Sequence, residues 1–250
     1  MSQHFATRQL RFFLTAPTPC PYLPGREERK VFAHLPVVDG PVVNDTLTSV
    51  GFRRSQNIAY RPACEGCDAC ISARVPTADY RFSASERRVL RRNDHLQRHL
   101  VEAESTREQF ELLCRYLADR HPGGGMSAMT WGDYVAMVED TTARTHIIEW
   151  RLRSQDHGPG ELVACAIVDV LADGLSLVYS FFDPAMSKSS PGVFVILDHI
   201  VQAQLTDIPY VYLGYWVGGS AKMDYKARFK PLEVLRFRGW TRLTDAERRS

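Results

Sequence analysis

Apolar and polar positions alternate over residues 9–14 (Gln-Leu-Arg-Phe-Phe-Leu), the period of a half-buried strand. The run stops at Pro17, Pro19, Pro21 and Pro24, whose rings fix φ and withdraw backbone donors. Residues 44–50 read as a helix and 51–60 as a strand, followed by a cysteine-bearing loop and a short strand over 71–75. Ser83 with Glu86 three positions on is a capping box, predicting a helix across 85–98. Thr106 with Gln109 opens another helix, whose apolar stripe is Phe110, Leu113, Cys114 and Leu117 and which ends at His121, Pro122 and the glycines at 123–125. A short helix near 131–139 comes next. The period then drops to two over 145–152, 162–171 and 175–182, and Ala172-Asp173-Gly174 marks a hairpin between the last two strands. A loop at 186–192, an apolar helix over 193–205, a strand over 210–216 and a final helix and strand complete the pattern.

The chain has 250 residues, 44% hydrophobic and 24% charged, which excludes the disordered, collagen-like and coiled-coil classes and allows one large domain or two compact ones. The change of pattern near 102 places an N-terminal domain at 1–102 and a C-terminal one at 103–250. No run of 18 apolar residues is present, so no membrane span is expected. The opening Met-Ser-Gln-His-Phe-Ala-Thr-Arg lacks the apolar stretch of a secretory signal, and a cytoplasmic protein is expected. The net charge of +2 conceals an uneven distribution: +6 over residues 1–100, −9 over 101–214 and +5 over 215–250. Two basic ends suit a polyanionic partner such as a nucleic acid; the alternative is charge that balances between packed domains. Arginine supplies 26 of the 31 basic residues, which suits bidentate recognition of phosphate or carboxylate.

Four segments carry candidate chemistry. Cys64, Cys67 and Cys70 lie at C-x2-C-x2-C spacing, with Cys20 on the proline-rich segment as a fourth thiol. Four thiolates suit a zinc ion or an iron–sulfur cluster, against the alternative of buried free thiols. Cys114 and Cys165 read as core residues. In the stretch from Tyr212 to Lys230, aromatic residues lead through a glycine turn into a helix start crowded with Lys222, Lys226, Arg228 and Lys230, a mixture suited to stacking on a base and contacting its phosphate. Arg54, Tyr60 and Arg61 form a candidate site for a carboxylate or phosphate. Arg87, Arg88, Arg91 and Arg92 share one helix face, either solvated or placed to touch phosphates.

Three antiparallel strands followed by loop, helix, strand, helix and strand resemble the later half of a GNAT-type acyltransferase fold, in which two central strands splay so that a nucleophile meets an acyl donor between them. The fold class expected is therefore α+β, a GNAT-like mixed sheet flanked by helices, with a cysteine-containing N-terminal domain. The runs Cys-Pro-Tyr-Leu-Pro-Gly at 20–25, Arg-Arg-Ser-Gln at 53–56, Tyr-Arg-Pro-Ala-Cys-Glu-Gly-Cys-Asp-Ala-Cys at 60–70, Ser-Glu-Arg-Arg-Val-Leu-Arg-Arg-Asn at 85–93 and Tyr-Leu-Gly-Tyr-Trp-Val-Gly-Gly-Ser-Ala-Lys-Met-Asp-Tyr-Lys at 212–226 resemble, in order, the bacterial leucyl-tRNA–protein transferases, relatives of the eukaryotic arginyl enzymes. The resemblance spans residues 7–241. It implies transfer of leucine from Leu-tRNA to the α-amine of proteins beginning with Asp or Glu, marking them for degradation, with no cofactor required for transfer and the cysteine region at Cys20, Cys64, Cys67 and Cys70. On this reading Tyr212, Tyr215, Lys222, Tyr225 and Lys226 hold the tRNA 3′ end, and Arg54 or Arg61, near Tyr60, meets the acceptor's carboxylate. The arginines of the 85–98 helix touch the acceptor stem, and Asp183 takes the amine proton unless it is only the turn residue before Pro184. Arginyl transfer, a CoA-dependent N-acetyltransferase and a metal-stabilised RNA-binding protein are the alternatives. The acetyltransferase is disfavoured because residues 186–192 carry a single glycine where a pyrophosphate loop needs two.

Overall fold

A computed structural model describes residues 10–120, 126, 128–154 and 158–248. The expected helix end at 121–125 lies outside these, as does Gln9. The first strands are short: β1 (Phe13–Leu14), β2 (Thr18–Pro19), β3 (Glu27–Glu28) and β4 (Lys30–His34). Helix α1 (Gly40–Ser49) precedes a hairpin of β5 (Arg53–Ser55) and β6 (Ile58–Pro62), where a single strand was expected. Four of these strands form an antiparallel sheet in the order β1-β4-β6-β5 over a small core of Leu35, Leu47, Phe52 and Ala59, while β2 and β3 pair with each other.

Then follow β7 (Ile71–Pro76), α2 (Ala84–Arg92), β8 (Leu96–Glu102), α3 (Arg107–Arg120) and α4 (Trp131–Glu139). The central meander is β9 (Thr145–Leu152), β10 (Leu162–Val170) and β11 (Gly174–Phe182). A 3₁₀ turn at Pro184–Ser189, α5 (Pro191–Leu205), β12 (Tyr210–Trp216), a 3₁₀ turn at Asp224–Arg228, and the hairpin β13 (Glu233–Arg236) and β14 (Gly239–Arg242) end the chain. The capping boxes form: Ser83 accepts from the Glu86 amide while the Glu86 carboxylate accepts from the Ser83 amide, and Thr106 and Gln109 exchange the same bonds. Helix α2 stops at Arg92, short of the expected 98. Asn93 caps it, donating from Nδ2 to the carbonyls of Val89 and Ser189, and Arg98 sits instead on β8.

The second sheet has eight strands in the order β14-β13-β7-β12-β11-β10-β9-β8. It crosses the expected boundary at 102: β7 pairs with β12 and β13, and β8 pairs with β9, so residues 71–102 belong to the same sheet as the C-terminal strands. Strand β10 shows why. Its Ala164, Ala166 and Val168 face the core under α2 and α5, while Cys165 and Ile167 face the core under α3 and α4. A strand covered on both faces reads as a continuous apolar run. Cys114 departs from the expected stripe: it is exposed on α3, where Gln109, Leu112, Leu113 and Leu117 are buried.

One pair of neighbours in this sheet, β11 and β12, is parallel, and it separates early. Gly174, Leu175 and Ser176 pair with Tyr210, Val211 and Tyr212; beyond them β12 bulges at Gly214, with φ +74°, and the strands part. Arg53 of β5 enters the parting. Its Nη2 donates to the carbonyls of Leu177 (3.1 Å) and Val178 (3.0 Å), and its guanidinium packs on Gly214. The next residue, Arg54, is buried against β10: Nε and Nη2 donate to Asp169 at 2.6 and 2.7 Å, and Nη1 donates to the Gln56 carbonyl. Asn44 and Thr145 also donate to Asp169. Tyr215 completes the join, its hydroxyl 3.0 Å from the carbonyls of both Gly51 and Tyr60.

These contacts have measurable consequences. Asp169→Leu strands a buried guanidinium and is expected to cost about 3–5 kcal/mol, whereas Asp169→Leu with Arg54→Met costs much less; denaturant unfolding of the three proteins checks this. At Gly214 a Cβ overlaps the Arg53 guanidinium in a left-handed backbone conformation. Gly214→Ala is therefore expected to destabilise the wild type by at least ~1 kcal/mol more than it destabilises Arg53→Ala, measured as a double-mutant cycle.

Candidate active site

The parting opens into a cavity of about 640 Å³. The N-terminal unit contributes Pro21, Tyr22, Arg53, Ser55, Gln56 and Tyr60 to its wall. The sheet and helices contribute Tyr116, Met137, Leu177, Val178, Tyr179, Ile196 and Leu213, Met126 comes from between α3 and α4, and the segment after β12 contributes Lys222, Met223, Tyr225 and Lys226. Among the described lining residues there is no Asp or Glu. The cleft is thus cationic and aromatic on one side and apolar on another, although 16 acidic residues lie between 101 and 214.

Lys226 is the most unusual of these groups. Its side chain is buried, and Nζ donates to the Tyr215 carbonyl at 2.6 Å. Burial, then the nearby Arg53 guanidinium, hold its ammonium far below the usual lysine range; Cys70 acts in the opposite direction. Burial likewise pushes the Tyr22 phenol up to about 12 and raises those of Tyr116, Tyr179 and Tyr225, so the aromatic wall stays protonated. Lys222 is exposed at the rim.

The structure sorts the residues singled out from sequence. Tyr60, Lys222, Tyr225 and Lys226 meet in this cleft. The other expected substrate contacts are elsewhere or already engaged. Arg54 touches the cleft wall, but its three nitrogens bind Asp169 and Gln56, so a substrate carboxylate has to break a buried ion pair to reach it. Tyr212 stacks among Arg74, Tyr210 and Trp240 and donates to Asp173, away from the cleft. Tyr215 is buried in the join between the sheets. Arg61 lies over the Phe52 ring, 5.2 Å from its centroid, and faces the cysteine cavity. Asp183 is a turn residue: it caps the 3₁₀ turn through the Ala185 amide, pairs with Arg115 at 3.2 Å and does not line the cleft. The helix start expected after Gly218-Gly219-Ser220 is a five-residue 3₁₀ turn at Asp224–Arg228. The α2 arginines Arg87, Arg88, Arg91 and Arg92 are all exposed.

Arg53 was missed. A strand that alternates sends Arg53 and Arg54 to opposite faces, and nothing in the local sequence says which face meets a cleft. The doubled arginine at 53–54 was the available signal.

Cys20, Cys64, Cys67 and Cys70 share a second cavity of about 400 Å³, and none is in a disulfide. Burial and the three neighbouring thiols push Cys70 up to about 12. The donor chemistry suits a thiophilic metal, but among the described residues no three His, Cys, Asp or Glu side chains are placed to hold an ion. The thiols share a cavity without forming a coordination shell. Among the described residues no helix is long and apolar enough to cross a membrane.

Comparison with known proteins bears on the whole chain. Relatives named aspartate/glutamate leucyltransferase include one from Phenylobacterium zucineum, 70% identical over 100% of this chain and 97% of its own length. Another, from Caulobacter vibrioides, is 71% identical over 99% of this chain and 89% of its own. A solved structure of L-PGS from Bacillus licheniformis matches 61% of this chain and 47% of that one, at 13% identity and a TM-score of 0.47. The models described as Arginine-tRNA-protein transferase, N terminus and C terminus, match residues 18–88 and 108–236. With both halves matched in order and relatives of this identity along its full length, the chain belongs to the arginine-tRNA-protein transferase family.

Proposed function

We propose that this protein transfers leucine from Leu-tRNA to the α-amine of proteins beginning with Asp or Glu. The observation that carries the reading is the cleft at the β11–β12 parting, with its cations and, among the described lining residues, no carboxylate. An acidic acceptor residue is attracted there, and the α-amine beside it is delivered to the point where the strands separate. Arg53 and Lys222 replace Arg54 and Arg61 as the groups that meet the acceptor's carboxylate. The tRNA 3′ end lies along Tyr225 and Tyr60, with Arg87, Arg88, Arg91 and Arg92 of α2 toward the acceptor stem. The parting supports a GNAT-like reading of the sheet. The Arg53 guanidinium standing in it, together with the single glycine in residues 186–192, weighs against a CoA thioester as donor.

The chemistry asks little of the protein. The donor is an activated ester, so positioning does most of the work. The attacking nitrogen forms its bond to the ester carbon, the ribose oxygen departs, and one proton passes from nitrogen to that oxygen. Lys226, kept toward the neutral amine, is the group in the cleft suited to carry the proton, in place of Asp183. No step uses a metal. A zinc ion or cluster, drawn in among Cys20, Cys64, Cys67 and Cys70, would tie the 20–28 segment to β6 and β7. A donor taken from charged tRNA suits a cytoplasmic protein.

Labelled Leu-tRNA or Arg-tRNA incubated with peptides beginning with Asp, Glu, Lys or Ala is expected to place leucine on Asp and Glu alone. Failure of transfer with both donors, under anaerobic and metal-replete conditions, overturns the reading. Lys226→Met is expected to slow single-turnover transfer by about 10²-fold or more while leaving tRNA affinity within twofold; an unchanged rate removes Lys226 from the chemistry. Arg88→Gln with Arg92→Gln is expected to weaken tRNA binding and lower the slope of log affinity against log salt by about 2. An unchanged slope places the tRNA elsewhere.

A further inference from the structure

The wall of the cleft is divided by chemistry, and the division follows the elements. Polar and cationic groups (Arg53, Ser55, Gln56, Lys222 and Lys226) come from β5 and its turn and from the segment after β12. An apolar lining comes from Met126, from Met137 of α4, and from Val178 and Tyr179 of β11. These four are only partly buried: one side of each packs on the core under α3 and α4, and the remaining apolar surface is turned to the cleft. Apolar surface left facing a cavity favours an occupant that removes it from water.

We infer that this apolar wall selects the donor's amino-acid side chain, with Met137 as its specificity-determining residue. The inference rests on the proposed transfer reaction and deepens it, by naming what distinguishes leucine from arginine. A branched aliphatic side chain buried there favours binding by roughly ten- to a hundredfold over an exposed one. A guanidinium in the same place finds no carboxylate among the described lining residues and meets the like charge of Arg53, which is bonded to the Val178 carbonyl, so it is desolvated without a partner. Methionine suits the position because its unbranched thioether adapts its shape to an aliphatic neighbour. The two substrates then sort themselves: acidic acceptor toward the cations, leucyl group toward α4, with the parting between them.

The test uses the full-length protein and two non-hydrolysable probes, 3′-amino-3′-deoxyadenosine carrying leucine or arginine in amide linkage, with binding followed by calorimetry. The wild type is expected to bind the leucyl probe at least tenfold more tightly. Met137→Glu is expected to lose at least tenfold for the leucyl probe and gain at least tenfold for the arginyl one. Met137→Leu, which conserves volume and polarity, is expected to retain the wild-type preference and to control for disturbance of α4. Equal affinities in the wild type, or a preference that Met137→Glu leaves unchanged in a protein with wild-type melting, overturns the inference. A protein that discriminates between the probes but labels no peptide fails the transfer reading and leaves the selective wall in place.

Discussion

Backbone carbonyls that leave a sheet ladder need another partner, and the architecture around the cleft follows from how that need is met. Where β11 and β12 part, Leu177 and Val178 turn carbonyls toward the opening, and Arg53 of a different sheet donates to both. The opening is therefore not a property of the eight-stranded sheet alone. It is held in its present form by a guanidinium that arrives on β5, and β5 is anchored by the next side chain, Arg54, buried on Asp169 of β10. Alternation along an extended strand sends the two arginines in opposite directions, one into the cleft and one into the join. The small sheet is thereby tied to the geometry of the site.

The same arrangement concentrates positive charge where it has a use. Arg53 serves the backbone through one nitrogen and still presents its cation to the cleft, where it disfavours protonation of Lys226 and attracts a carboxylate. Carboxylates are plentiful in the middle of the chain, and several of them are engaged elsewhere: Asp169 with Arg54, Asp183 with Arg115, and Glu149 and Glu108 with Arg151. Part of what reads in the linear sequence as an acidic region between two basic ends is, in space, a set of structural ion pairs, and the described lining of the cleft holds no carboxylate.

Much of the framework was legible from local signals. The capping boxes at Ser83 and Thr106, the hairpin at Ala172-Asp173-Gly174 and the apolar runs of β10 and α5 all depend on neighbours within a few positions, and they appear where the pattern placed them. The motif between Tyr212 and Lys226 was visible as a dense mixture of aromatics and cations, but its members separate by strand face and turn. Tyr212 and Tyr215 go to structural contacts, while Tyr225 and Lys226 go to the cleft. The expected helix through residue 98 failed because Asn93 bonds to a carbonyl 96 residues away, a partner no local pattern reveals.

Sequence by itself determined the α+β character, the order of the main strands and helices, and the family, because periodicity, caps and long ordered motifs are written in consecutive residues. Long-range packing decided that residues 71–102 join the C-terminal sheet, that Arg54 at the cleft wall is taken up by Asp169 while Arg53 stands in the parting, and that Asp183 does not line the cleft. Each of those outcomes depends on partners far apart in the chain, such as Arg54 and Asp169, 115 residues apart. The identity of an arginine in a strand is local information. Whether it meets a carboxylate, a carbonyl or open solvent depends on which surface folds against it.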